Sequence, residues 1–202
     1  QAATMNETCD IGVVISLYPE HLDWHGSLEV YYRDKLNLLA HSRKKFINAE
    51  ALVTAKAKGI GVNEAVLFND PSGFHVEKGK IVDTCAPLGL PPNAYLSRVH
   101  NLINVCAVLA VLKELGVKPQ DALPKMQDFR ALPHRQQELG ENKDITYVDD
   151  SISTTPQSAI AAMDVYPERA VTLLAGGFDR GIDFKPLIDY VRKKNIHAVV
   201  CM

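Results

Sequence analysis

"ITYVDDSISTTPQSAIAAMDVYPERAVTLLAGG", residues 145–177, decides the fold class. Two short runs of apolar and β-branched residues, 145–150 and 170–177, bracket a helix-forming stretch that opens on Thr155-Pro156. "FKPLIDYVRKK" (184–194) and "HAVVCM" (197–202) extend the alternation to β-α-β-α-β. Strands joined through helices lie parallel, with right-handed crossovers. The expected class is therefore α/β.

Upstream the pattern is less regular. "HNLINVCAVLAVLKELG" (100–116) predicts a helix apolar on nearly all sides, hence buried on most of them, and closed by Gly116. "AVLFNDPSGFHVEKGKIVDTC" (65–85) alternates and carries turn signals at Asn69-Asp70-Pro71 and Lys78-Gly79, so it predicts β-hairpins. "PLGLPPNAYLS" (87–97) predicts a loop, "KKFINAEALVTA" (44–55) a strand with a loop, and "DIGVVISL" (10–17) a buried strand. Two prolines and mixed charges in "PKMQDFRALPHRQQEL" (124–139) mark a domain boundary, giving domains 1–129 and 130–202.

The 202 residues are 47% hydrophobic with a net charge of −2. That charge argues against a broad nucleic-acid or anionic-membrane surface. No apolar run is long enough to cross a bilayer, and no leader opens the chain. Cys9, Cys85, Cys106 and Cys201 are far apart, which suits reduced thiols in a cytoplasmic protein better than a zinc site. A first residue other than Met and a strand at the very end predict a piece of a longer chain.

"YPEHLDWHGSLEVYYRDK" (18–35) holds the densest chemistry. Ser27 caps a predicted helix on which Lys35 shares a face with Leu28, Tyr31, Tyr32 and Leu39. Either the stem lies on apolar surface and the ammonium reaches water, or burial neutralises the amine so that it takes up CO₂ as a carbamate, an oxygen ligand suited to Mg²⁺. His21 and His25 either bind metal or make ordinary hydrogen bonds, and Gly26-Ser27 predicts that the helix starts after them. Asn101 and Asn104 either cap a helix or read a ligand edge. Arg135, in "LPHR", is either an interdomain ion-pair residue or a phosphate clamp. "VDDSISTTPQS" (148–158) is a helix cap or an anion site, and "AGGFDRG" (175–181) lies at the carboxyl edge of a parallel sheet, where ligands bind. No G-x-x-x-x-G-K-[ST] loop occurs.

"EHLDWHGSLEVYYRDK", "HNLIN", "LPHR", "DDSISTT" and "AGGFDRG", in this order, resemble the motifs of the Mur ligases, ATP-dependent amide-forming enzymes of peptidoglycan synthesis. The resemblance spans nearly the whole chain and is strongest to the branch that adds glutamate to UDP-N-acetylmuramoyl-L-alanine. It implies part of a central ATPase domain, with a mixed sheet and flanking helices, followed by part of a Rossmann-like C-terminal domain with a parallel sheet. It also implies that His21 helps hold Mg²⁺ and contacts the muramoyl substrate, and that Lys35 is the carbamylated lysine supporting that metal. Asn101 would face the adenine of ATP, Arg135 its phosphates and Asp150 its ribose. Thr154 and Arg180 would place the incoming glutamate. The whole protein would be a cytoplasmic bacterial monomer, and this portion alone inactive.

One departure matters. D-glutamate ligases of this family usually read D-S-K-A-T-N where this chain reads Asp150-Ser151-Ile152-Ser153-Thr154-Thr155. Ile152 replaces a lysine, so both the D- and the L-glutamate branches stay open. The competing readings are a folylpolyglutamate synthase-like ligase, a non-catalytic binding fragment, and an α/β protein whose polar residues are only caps.

Overall fold

The structure is a computed structural model that describes residues 2–178, 181–194 and 196–202. The chain divides into two compact units, Gln1–Phe129 and Arg130–Met202.

In the first unit, β1 (Cys9–Val14) leads through a single turn, α1 (Leu22–His25), into α2 (Leu28–Ala40). β2 (Ser42–Asn48), α3 (Ala49–Ala57) and β3 (Val66–Phe68) follow. The strands form a parallel sheet in the order β1-β2-β3. Phe46 and Ile47, adjacent on β2, are both fully buried and enter opposite clusters. Successive strand residues face opposite sides, so this pair shows that both faces of the sheet are covered. Ile47 joins Tyr31, Tyr32, Leu36 and Leu39 of α2 and Ala51 and Ala55 of α3. Phe46 joins Leu102, Val105, Cys106 and Leu109 of a later helix.

The segment read as a loop after β2 is helical. Asn48 ends the strand, and its Oδ1 accepts from the Glu50 N–H at 3.0 Å, which starts α3 without an intervening loop. β3 pairs with β2 in parallel and belongs to no hairpin. The hairpins come after it: β4 (Phe74–Glu77), β5 (Lys80–Asp83) and β6 (Ala86–Gly89) form an antiparallel sheet. Lys78 and Gly79 turn between β4 and β5 with φ of 46° and 73°, the conformation that two-residue hairpin loops favour. β6 occupies the start of the stretch read as a loop. α4 (Val99–Glu114) packs on β2, β3, β4 and β5, and the short α5 (Pro119–Ala122) packs against α4.

The second unit begins with an antiparallel pair, β7 (Gln137–Asn142) and β8 (Ile145–Asp149), then α6 (Pro156–Met163), β9 (Val171–Ala175), α7 (Lys185–Lys193) and β10 (Ile196–Cys201). β9 and β10 pair in parallel, as the alternation predicts. The expectation that the first strand joins the same ladder is corrected: among the described residues β8 pairs with β7 alone. Lys143 and Asp144 both have positive φ, 49° and 63°, so a local two-residue turn forms the hairpin. α6 is capped by Thr155, whose side chain accepts from the Ser158 N–H while Ser158 returns a bond to the Thr155 carbonyl group at 2.7 Å. No helix among the described residues is long and apolar enough to cross a membrane.

Candidate functional site

The first unit gathers His21, His25 and Lys35 around one ring, Tyr31. His21 stands at the start of α1 with φ 54°, and its carbonyl accepts from the N–H groups of Trp24 and His25 at 3.1 Å each. α1 closes at Gly26, φ 74°, before Ser27 caps α2 by accepting from the Val30 N–H at 3.2 Å. The helix that carries Lys35 thus starts after Gly26-Ser27, as the sequence reading has it, but a separate helical turn that the reading does not foresee precedes Gly26. That turn swings both histidine rings back over α2. The His25 ring lies 5.0 Å and the His21 ring 6.4 Å from that of Tyr31, both edge-on.

The two histidines differ in availability. His25 is nearly enclosed, and its Nδ1 is paired with Asp34 Oδ2 at 2.7 Å. The His21 side chain is 50% exposed, with Nε2 3.7 Å from Glu20 Oε1. His25 thus serves the local fold, while His21 keeps an open edge. Lys35 Nζ donates to the Tyr31 hydroxyl at 3.2 Å and lies 5.5 Å from the ring centroid. Burial lowers the Lys35 amine below its usual value, opposed in part by the Glu20 carboxylate. The Tyr31 hydroxyl is pushed up to about 12, by burial first and then by Glu20 and Tyr32. A half-buried lysine whose amine is held below its usual value suits CO₂ uptake better than a solvated one. Among the described residues no three His, Cys, Asp or Glu side chains cluster as a metal site. A cation at His21 would need oxygen donors beyond these side chains, such as a lysine carbamate and substrate phosphates.

Asn101, in the first turn of α4, is buried, and its Nδ2 donates to the Tyr95 carbonyl at 2.8 Å. It is not the cap of α4, a position held by Arg98. Asn104 is exposed. The Tyr95 ring stacks on Phe129 at 6.0 Å, under the Arg98 guanidinium 5.1 Å from its centroid. The Asn93 carboxamide holds the carbonyls of Gln127 and Phe129 at 3.0 Å each.

In the second unit "LPHR" and "DDSIS" come together. Gln136 N–H donates to Asp150 Oδ1 at 3.0 Å, and Ile152 N–H donates to the His134 carbonyl at 3.4 Å. His134 Nδ1 pairs with Asp149 Oδ2 at 2.7 Å. The other Asp149 oxygen accepts from the Ser151 N–H at 3.0 Å, and Asp150 Oδ2 accepts from the Ser153 hydroxyl at 2.5 Å. Asp149 is held at about 2, chiefly by the His134 hydrogen bond and then by Ser151. Arg135 is exposed and among the described residues makes no hydrogen bond or ion pair. Thr154 is exposed just ahead of the α6 cap. Arg180 lies outside the described residues. Sequence reading missed His134 and Asp149, whose signal was the histidine in "LPHR" and the doubled acid fifteen residues on. A cleft of about 450 Å³ lined by Glu138, Gly140, Glu141, Thr146, Tyr166 and Arg169 contains none of the expected site residues.

No family model matches the chain. A curated relative named UDP-N-acetylmuramoyl-L-alanine--L-glutamate ligase, from Xanthomonas oryzae pv. oryzae, is 37% identical over 96% of this chain. A relative of the same name from Micromonospora sp. is 39% identical over 97% of it. The fold is similar to that of a MurF ligase from Thermotoga maritima, solved in complex with ADP, with a TM-score of 0.65 at 16% identity over 96% of this chain and 49% of that one. The chain belongs to the Mur ligase family. It spans 42% and 45% of the lengths of the two curated relatives. The Mur ligase resemblance carried by five motifs therefore extends over 96–97% of the chain.

Proposed function

We propose that the whole protein is an ATP-dependent ligase that joins L-glutamate to UDP-N-acetylmuramoyl-L-alanine in peptidoglycan synthesis. Residues 1–129 would be the second part of its central ATP-binding domain and residues 130–202 the first part of its C-terminal, glutamate-binding domain. The observation that carries this is the 37–39% identity, over almost all of the chain, to relatives named for that reaction. The isoleucine at 152, where D-glutamate enzymes of the family carry lysine, favours the L-glutamate branch.

The chemistry divides into two transfers. The substrate carboxylate attacks the γ-phosphorus of ATP, forming an acyl phosphate and releasing ADP. The amine of glutamate then attacks the acyl carbon, loses a proton and expels inorganic phosphate. Both steps depend on positioning and on neutralising phosphoryl oxygens rather than on a protein nucleophile. His21 and carbamylated Lys35 would hold Mg²⁺, which when bound supplies that neutralisation. Tyr31 orients Lys35, and the His25–Asp34 pair steadies Tyr31. Asn101, its Nδ2 engaged by Tyr95, offers its remaining oxygen to the exocyclic amine of adenine. Arg135 would meet the triphosphate and Asp150 the ribose. Thr154 and Arg180 would receive glutamate. In this reading the enzyme works as a monomer in the cytoplasm, where ATP and UDP-linked precursors are found.

The test is phosphate release by the full-length protein from UDP-N-acetylmuramoyl-L-alanine and Mg-ATP, with L- and D-glutamate in parallel. Release with L-glutamate alone is expected. Release with D-glutamate alone would move the protein to the other branch. Silence with both, together with turnover of a reduced folate, would overturn the muramoyl assignment.

A further inference from the structure

Arg135 rides on backbone that is costly to form. The residues on either side of it, His134 and Gln136, are not glycine, yet both have positive φ, 63° and 47°. Side-chain-bearing residues enter that region at a cost, which in the hairpins is met by strand pairing and here, with no such two-residue turn, by side-chain hydrogen bonds. Here the surroundings are polar and specific. His134 is gripped at three points: Nδ1 by Asp149 at 2.7 Å, its N–H by Gln137 Oε1 at 3.1 Å and its carbonyl by the Ile152 N–H at 3.4 Å. The Gln136 N–H is gripped by Asp150 at 3.0 Å. Both aspartates are themselves tied down, by Ser151 and Ser153.

Core packing does not account for this arrangement. The His134 side chain is 62% exposed and Arg135 is exposed as well. The neighbours of Arg135 are bound to aspartates, while its own guanidinium has no partner among the described residues. The carboxylates that could have paired with it are occupied by the bend itself, Asp149 by His134 and Ser151 and Asp150 by Gln136 and Ser153.

We propose that His134 is a positioning residue: its Nδ1–H, anchored on Asp149, holds the left-handed bend that keeps the Arg135 guanidinium available for an anionic ligand, the triphosphate of the nucleotide. This rests on the assignment of Arg135 to phosphate. His134 touches no reacting atom. Its contribution is to spare Arg135 the search for its geometry, so that a fork of N–H donors meets phosphate already oriented.

Four variants of the full-length protein test it, by KM for Mg-ATP and by calorimetric affinity for ADP. His134→Asn keeps an N–H donor near the Nδ1 position and tolerates positive φ. His134→Gly relieves the backbone but removes the anchor, and His134→Ala removes the anchor without relieving the backbone. Arg135→Ala removes the cation. His134→Ala and His134→Gly are expected to raise KM for Mg-ATP about ten-fold, with His134→Asn within about three-fold of the parent. In an Arg135→Ala background the His134 substitutions should add no further loss, a non-additivity that a general structural role does not produce. Additive losses, or His134→Asn as impaired as His134→Ala, would overturn the inference. So would an unaltered His134→Gly beside an impaired Arg135→Ala. A normal KM in Arg135→Ala would instead remove the phosphate role of Arg135 itself, which separates the two failures. Thermal melting of each variant identifies any that has not folded, and His134→Gly and His134→Asn carry the test if His134→Ala has not.

Discussion

Lys35 Nζ lies 3.2 Å from the Tyr31 hydroxyl, one helical turn back on α2. The two groups are shifted in opposite directions, the amine down and the phenol up to about 12, and burial is the first cause of both. The hydroxyl accepts from the ammonium, so it stabilises the charged lysine against that burial. Tyr31→Phe should therefore lower the Lys35 titration midpoint further. The sign for stability follows from linkage. The unfolded chain holds the Lys35 proton to higher pH than the folded one, so stability from this group rises with pH between the lowered midpoint and the ordinary one. A ¹³C–¹⁵N titration of lysine side chains, with Lys35→Arg to assign the signal, checks both statements. A midpoint at or above the ordinary lysine value would remove the physical basis for carbamate formation.

Gly12 on β1 allows the close approach of β1, β2 and α2. A Cβ added there would collide with Ser42 Oγ, and would stand 2.9 Å from Ser42 Cβ and 3.3 Å from Leu38 Cγ. Ser42 cannot swing aside freely, because its hydroxyl donates to the Leu38 carbonyl at 2.6 Å and faces Cys9 Sγ at 3.1 Å. Gly12→Ala is expected to cost about 1–3 kcal/mol by overpacking. Urea unfolding of the 202-residue chain measures it. Adding Ser42→Ala should recover part of the loss, since the nearest colliding atom is then gone.

The clasp around Arg135 has an acid limit. Asp149 is held at about 2 against an ordinary 3.8, first by the His134 side chain and then by Ser151. A depressed carboxyl stabilises the fold above its ordinary value and loses that contribution as pH falls toward the folded one. The clasp should hold at pH 5 and open between about pH 4 and pH 2. The ¹³C shift of the Asp149 carboxyl and the amide shift of Ser151 report it. In Asp149→Asn the Ser151 amide should show no step in that range.

Parts of this structure were legible before any coordinates, for reasons visible in particular residues. β9 and β10 are apolar and separated by a helix of normal length, so local pattern and tertiary pairing agree. β7, "QELGEN", has six exposed residues and no alternation to read; it is a strand because Lys143-Asp144 folds it onto β8. α3 was hidden because Asn48 is at once the last strand residue and the helix cap. At the site, the spacing of Tyr31 and Lys35 was readable from helical period, and their hydrogen bond follows from it. The His134–Asp149 pair was not, because it joins residues fifteen apart across a turn whose backbone no propensity favours. The metal, nucleotide and glutamate roles proposed for these residues rest on the family resemblance rather than on periodicity.

Ile152 is where a single substitution speaks to the choice of glutamate. The residue is 47% exposed, and its one clasp contact is through the backbone N–H, to His134. A lysine there has room and breaks no packing, so Ile152→Lys should fold as the parent does, within about 0.5 kcal/mol. If the missing cation contributes to the proposed preference for L-glutamate, restoring it should shift the ratio of kcat/KM for D- over L-glutamate upward by about ten-fold, which is about 1.4 kcal/mol of differential binding in the transition state. The measurement is phosphate release by the full-length variant with each enantiomer across a concentration series. A ratio that does not move would take the discrimination away from charge at position 152. It would then lie in the shape of the loop that Asp149 and Asp150 hold, and substitutions that loosen the clasp, rather than ones that add charge, would be those that blur the choice.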